Sequence, residues 1–232
     1  MDKTMIFENR WEAGKKLAAK LLDEPLIKQT AKADLLVLSI PRGGVVVGAA
    51  VAKTLGCKHD VVVAKKISLP NYSEAAIGAI AEDGPAILAS EIPEWFLQSG
   101  GPLEGLQAQT RAKIATYIER FHAGRTLDIR KKMVIVVDDG IATGETMKAA
   151  LLWLRAKGQA QRPRKILAAV PVGSPRALAE IESLADRVVC LSAPEHFWAV
   201  GQFYLDFRQI DDKAVTAYLT CPLDQVKNSS PG

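Results

Sequence analysis

Residues Val134 to Thr146 read Val-Ile-Val-Val-Asp-Asp-Gly-Ile-Ala-Thr-Gly-Glu-Thr. With Met133 the first four form a short, wholly apolar run, which suits a strand covered on both faces. The run ends abruptly in two carboxylates, Asp138 and Asp139, then passes through small residues into a helix expected from about Thr143 to Lys157. Gly140, Ala142 and Gly144 let the backbone approach an anion closely, and Thr143 and Thr146 offer hydroxyls. Unpaired N–H groups at a helix start favour a phosphate. Carboxylates beyond the C-terminal end of a strand stand where ligands bind in open α/β sheets. Two of them would repel the phosphates of a nucleotide, so sugar hydroxyls, or a Mg²⁺ bridging to a second phosphate group, are the better targets. The pattern suggests a phosphorylated sugar. No Gly-Lys-Ser/Thr follows, as a Walker loop requires, and no G-x-G-x-x-G follows any strand.

Outward from this stretch the chain alternates. Leu35 to Ile40 is another wholly apolar run, broken at Gly43 and Gly44 before a helical stretch from Val45 to Leu55, and Val61 to Ala64 reads as the next strand. Strand, helix and strand fit inside one crossover unit of about 30 residues. Beyond the acidic pair come a strand Ile166 to Val170, a helix Pro175 to Leu184 and a strand Val188 to Leu191. An α/β fold is predicted: a doubly wound, mainly parallel sheet with helices on both faces. Glu8 to Leu22 reads as an amphipathic helix, with Trp11, Ala18, Leu21 and Leu22 on its apolar side and Arg10 on another face. Ile92 to Phe121 reads as mostly helical after Gly100-Gly101-Pro102. Ser68 to Gly84 is looser, a flexible loop leading to short strands at Ile77 to Ala81 and Ala86 to Ala89. His196 to Arg208, rich in aromatic residues, is expected to cap the sheet as a small C-terminal hood, and 222–232 to fray. No linker divides residues 1–232, so a single domain is expected.

Composition narrows the class. Of 232 residues 48% are hydrophobic and 24% charged, which excludes a disordered or collagen-like chain. Thirty Lys and Arg against 26 Asp and Glu leave a net charge of +4, too weak a field to demand nucleic acid. The bases are nevertheless clustered, in Arg130, Lys131, Lys132 and in Arg155, Lys157, Arg162, Arg164, Lys165. Cys57, Cys190 and Cys221 are far apart and match neither a disulfide framework nor a zinc site. His59, His122 and His196 make no metal constellation. The first sixteen residues hold no apolar segment fit for a signal sequence, and no run approaches the ~20 apolar residues of a membrane span, so no membrane partner and a cytoplasmic location are expected.

The stretch Asp138 to Thr146 resembles the signature of the type I phosphoribosyltransferases, which use 5-phosphoribosyl 1-pyrophosphate (PRPP). The resemblance implies that Asp138 and Asp139 hold the ribose hydroxyls and meet Mg²⁺, directly or through PRPP or water. It implies that Gly140, Ile141, Ala142, Thr143, Gly144, Glu145 and Thr146 wrap the 5-phosphate. Upstream, Ser39-Ile-Pro-Arg-Gly-Gly44 stands where such enzymes place a pyrophosphate loop, with Arg42 supplying charge and Gly43 and Gly44 presenting amides. Lys65 and Lys66 are similar to the basic strand end before the catalytic loop of orotate-type members. Neighbouring strand residues face opposite ways, and Lys66 is the one expected at the leaving pyrophosphate, with Ser68 to Ala76 as a lid.

Phe197 to Arg208 is similar in spacing to the C-terminal segment of purine-using members. That likeness implies that Trp198, Phe203 or Tyr204 stacks on the acceptor and that Asp206 lies near its polar edge or the metal. The strand end Val170-Pro-Val-Gly173 departs from the pattern, because it lacks the base-reading lysine. The group most resembled carries a Pro-Arg-Gly-Gly element and unassigned acceptors. The activity implied is Mg²⁺-dependent transfer of 5-phosphoribosyl from PRPP to a small nitrogen acceptor, such as a nucleobase, with release of pyrophosphate. The alternative is a PRPP- or nucleotide-sensing regulator without turnover. No nucleic-acid partner is expected of the enzyme, and the sequence leaves a homodimer open.

Overall fold

Five strands form one parallel sheet: Leu35–Ser39 (β1), Lys58–Val61 (β2), Met133–Val137 (β6), Lys165–Val172 (β7) and Arg187–Ser192 (β8), in the order β2-β1-β6-β7-β8. The structure is a computed structural model describing residues 6–69, 72–89, 92, 96 and 103–221. β1 and β6 lie in the middle and every residue in them is buried, which is why they read as unbroken apolar runs. Leu35 pairs with Met133 and Ser39 with Val137, so both strands end at the same level. The order reverses between them: the chain steps outward from β1 to β2, then returns to lay β6 on the other side of β1. A crevice outside the carboxyl ends is the expected result of such a reversal.

Successive side chains of the central strands feed opposite layers. Val37, Ile135 and Val137 pack with Leu17 and Leu21 of α1 (Arg10–Asp23) and Val47 and Val51 of α3 (Gly44–Leu55). A short α2 (Pro25–Lys28) closes that layer, supplying Ile27. Leu36, Leu38, Val134 and Val136 pack with Met147, Leu151 and Leu154 of α5 (Glu145–Arg155) and with Ile181 of α6 (Pro175–Glu182). The doubly wound sheet predicted from the sequence is therefore the one observed.

The segment after β2 departs from expectation. Val61 to Ala64 is not one strand: β2 ends at Val61, and Val62 and Val63 form a buried link into a second, antiparallel sheet. Burial between two sheets needs apolar residues as much as a strand does. The short strands expected at Ile77 to Ala81 and Ala86 to Ala89 are present, but the loop expected before them from Ser68 is mostly strand as well. Ala64–Leu69 (β3) and Tyr72–Ala81 (β4) pair as a hairpin, joined by Ile87–Leu88 (β5). Ile67, Leu69, Ile77 and Ile80 anchor it beneath α4 (Leu103–His122), which supplies Leu106 and Ile114. The proposed lid from Ser68 to Ala76 thus has strand backbone at 68–69 and 72–76, with 70 and 71 outside the described residues. A last helix, α7 (Asp212–Thr220), had no expectation attached; Asp211 caps it by accepting the N–H of Ala214. The tail 222–232 lies outside the described residues. Among the described residues no helix is long and apolar enough to cross a membrane.

Candidate active site

The carboxyl ends of β1 and β6 bring two loops into contact. A Cβ on Gly43 would lie 1.9 Å from Asp139 Oδ2, and one on Gly44 2.9 Å from both the Cα and Oδ1 of Asp138. Only glycine permits this approach, so the Pro41-Arg42-Gly43-Gly44 turn rests directly on the acidic pair. The N–H of Ile40 donates to Val137 O at 2.8 Å and extends the β1–β6 ladder into the turn.

The two carboxylates have different surroundings. Asp138 Oδ1 accepts the Asp139 N–H at 2.8 Å, and burial, followed by the charge of Asp139, pushes the Asp138 carboxyl well above the ordinary range. Asp139 is tied down: Arg10 Nε donates to its Oδ2 at 2.7 Å, with both side chains largely buried. The same guanidinium lies 3.8 Å from the Phe207 ring centroid and donates to Arg208 O, while the Tyr204 hydroxyl donates to Asp139 O at 2.6 Å. Asp139 thereby joins α1, the acidic loop and the C-terminal hood, and Asp138 is the member with no ion-pair partner among the described residues.

Beyond the pair the loop is pinned from behind. The N–H of Ile141 is taken by Val172 O, and Ile141 is core, so its amide does not join the expected anion cradle. Ser174 Oγ donates to Ala142 O at 2.6 Å. The amides of Ala142 to Thr146 make no hydrogen bond among the described residues, and Gly144 turns the chain into α5 with φ +86°. Five unpaired donors around one turn are the arrangement that an anion cradle requires. A cavity of about 710 Å³ opens beside it, walled by Thr143, Glu145, Arg176, Glu195 and Phe197.

Lys65 and Lys66 point opposite ways, as alternation along a strand predicts. Lys66 Nζ donates to Thr143 Oγ1 at 3.4 Å, which puts it at the anion cradle. Lys65 lies 3.8 Å from the Tyr117 ring centroid. Burial and then the neighbouring Arg42 charge hold its ammonium below the ordinary lysine range. Lys65 is therefore the lysine that feels the Arg42 charge. Asp212, at the start of α7, sits between these cations: its Oδ1 is 3.8 Å from Arg42 Nη1 and its Oδ2 pairs with Arg120.

The hood sorts its aromatic residues by burial. Phe203 and Tyr204 are core, so neither is a stacking platform; they pack with Phe7 and Phe197. Trp198 is 88% exposed, the large aromatic side chain left open to a ligand there. Asp206 binds Arg208, and its N–H donates to Glu8 O, which fixes the hood rather than reading an acceptor.

A phosphoribosyl transferase domain matches residues 4–208. The chain belongs to the phosphoribosyl transferase family. It is 37% identical over 215 residues to the Mycobacterium tuberculosis protein Rv0571c, which carries a phosphoribosyl transferase name. That match covers 92% of this chain and 46% of the relative, so the chain spans about half the length of the curated relatives it matches. Among solved structures, TT1426 from Thermus thermophilus superposes with a TM-score of 0.72 at 38% identity, over 93% of this chain and 98% of that one. AQ2163 from Aquifex aeolicus shares the fold at TM-score 0.51 and 13% identity, over 91% of this chain and 85% of that one.

Within this phosphoribosyl transferase chain the described residues hold no group of three or more His, Cys, Asp or Glu able to bind a metal unaided. With Asp139 engaged by Arg10, the donor set suits a Mg²⁺ that arrives on the substrate's phosphates and meets Asp138, and does not suit a resident ion. Arg10, Arg120 and Asp212 were missed as site residues. Arg10 looked like one more charge on an amphipathic helix, and only the placement of the hood over it reveals its partner.

Proposed function

We propose that the chain catalyses transfer of a 5-phosphoribosyl group from PRPP to a small nitrogen acceptor with release of pyrophosphate. The observation that carries this reading is the contact of the Arg42-Gly43-Gly44 turn with Asp138 and Asp139 beside an open anion cradle. Three sites for one ligand converge there. The amides of Ala142 to Thr146 suit a 5-phosphate, Asp138 suits ribose hydroxyls, and Arg42 with Lys65 suits a pyrophosphate. Bound Mg²⁺ would supply charge neutralisation on the pyrophosphate oxygens.

In the reaction the bond from ribose C1 to the pyrophosphate oxygen breaks, its electron pair leaves with pyrophosphate, and C1 develops oxocarbenium character. The acceptor nitrogen then bonds to C1 and gives up its proton to the departing pyrophosphate or to water. Arg42 and Lys65 meet charge that grows on the leaving group, and such contacts lower the barrier because they strengthen in the transition state. Trp198 offers the acceptor a flat apolar surface at the hood. The three cysteines, all without a disulfide, suit a reducing cytoplasm. The test is pyrophosphate release on incubation with PRPP, Mg²⁺ and a panel of purine, pyrimidine and other nitrogen compounds. Acceptor-dependent release is expected. PRPP binding without release by any acceptor would move the reading to a sensor.

A further inference from the structure

The two basic segments that stand apart in the sequence meet in the fold. The Lys131 N–H donates to Arg162 O and the Arg164 N–H to Lys132 O, just before β6 and β7 begin. They lie at the amino ends of the strands. Asp138 is at the other end of β6, roughly 17 Å away at about 3.3 Å per residue. Beside them lies a cavity of about 890 Å³, whose lining includes Glu82, His122, Leu127, Ile129, Arg130 and Trp153. Drug-sized ligands occupy cavities of roughly 300–1,000 Å³.

Three features set this cavity apart from an ordinary surface dent. The described residues with positive φ that are not glycine are Glu82, Ala123 and Lys131, and all belong to its wall or adjoin it. Left-handed backbone costs energy in such residues and persists where the surroundings impose it, often at binding sites. His122 has a 7% exposed side chain held between two carboxylates, with Nε2 3.3 Å from Glu82 Oε1 and Nδ1 3.8 Å from Asp60 Oδ1. The cations that line it are balanced, Arg125 by Asp60, Arg130 by Asp128 and Lys157 by Asp83, whereas Lys131 and Arg162, the neighbours of lining residues Arg130 and Gln161, are exposed and form no ion pair among the described residues.

We propose that this cavity is a second ligand site, separate from the transfer site, and that it takes a nucleoside monophosphate. Each part of such a ligand meets matching chemistry. The apolar wall of Leu127, Ile129 and Trp153 suits a planar base. The polar lining side chains of Thr126 and Gln161 suit the base's polar edge. The spare cations Lys131 and Arg162 suit one phosphate at the mouth. The largely buried Glu82 carboxylate disfavours a ligand whose charge enters first, so the phosphate stays outside.

The experiment is calorimetric titration with AMP and with GMP of three full-length proteins: wild type, Asp138→Asn with its transfer site disabled, and the double variant Lys131→Glu/Arg162→Glu. Because the reversed charges are exposed, circular dichroism and pyrophosphate release should match wild type. One of the two nucleotides is expected to bind Asp138→Asn and to lose about tenfold or more in affinity in the charge-reversed protein, the effect of roughly one charge-assisted contact. Binding that requires Asp138, or that survives the charge reversal, overturns the proposal. So does an absence of binding at millimolar nucleotide, or a twelve-nucleotide RNA that binds where neither monophosphate does.

Discussion

Arg10 and Asp139, 129 residues apart, form a largely buried ion pair with Nε 2.7 Å from Oδ2. Removing one partner of a buried pair leaves an uncompensated charge and costs about 3–5 kcal/mol. Arg10→Ala is therefore expected to lower the unfolding free energy by that order, measured in urea. Combining it with Asp139→Ala should cost much less than the sum of the single changes, because neither charge is then stranded. Full additivity would show that the pair does not tie the hood to the acidic loop.

Asp138 carries the opposite kind of prediction. Its carboxyl is raised in the folded chain by burial and by Asp139, so the folded state favours the protonated form. That contribution is fully present below the ordinary aspartate pKa and is lost as pH rises through the raised value. In Asp138→Asn the fall in stability across this window should disappear, while PRPP affinity is lost. Denaturant titrations at several pH values, with calorimetry using Mg²⁺ and PRPP, check both. An unchanged pH slope together with unchanged affinity would remove Asp138 from the site.

Legibility in the sequence followed locality. The central strands could be read because burial on both faces demands unbroken apolar residues, and the acidic loop because its chemistry is contiguous from Asp138 to Thr146. The end of β4 was legible, but β3 and the start of β4 were not, since Pro70, Asn71 and Ser73 look like loop residues and the apolar anchors face α4, which is more than twenty residues away. Arg10 and Asp212 were hidden for the same reason. Their partners, Asp139 and Arg42, come from distant elements, and neither residue sits in a patterned motif of its own.

The burial of Phe203 against the exposure of Trp198 separates packing from recognition in the hood. Phe203→Ala should cost about 3–5 kcal/mol of stability, as truncation of a core aromatic does. Trp198→Ala should change stability by no more than about 0.5 kcal/mol, as exposed substitutions do. It should instead raise the KM for the acceptor about tenfold, the effect of losing one stacking contact of roughly 1 kcal/mol or slightly more. Acceptor kinetics unchanged by the loss of Trp198 would place the acceptor elsewhere.

The division between Lys65 and Lys66 gives the most discriminating test of the transfer site. Lys66 touches Thr143 in the anion cradle, so Lys66→Ala should weaken ribose 5-phosphate binding several-fold, a partial loss for an exposed contact at 3.4 Å, and leave the rate at saturation near wild type. Lys65 feels the charge of Arg42, which in the proposed reaction would meet the leaving pyrophosphate, so Lys65→Ala should cut turnover about 100- to 1000-fold and leave ribose 5-phosphate binding unchanged. Charge supplies an independent readout. Because burial and Arg42 hold the Lys65 ammonium below the lysine range, its proton is lost at lower pH than from a free lysine, and turnover should decline on that alkaline limb. Lys65→Arg keeps its charge at any such pH and should move the decline upward even where it turns over more slowly. If Lys66→Ala crippled turnover while Lys65→Ala was silent, the pyrophosphate would lie toward Thr143, and the placement of the two phosphate groups would have to be exchanged.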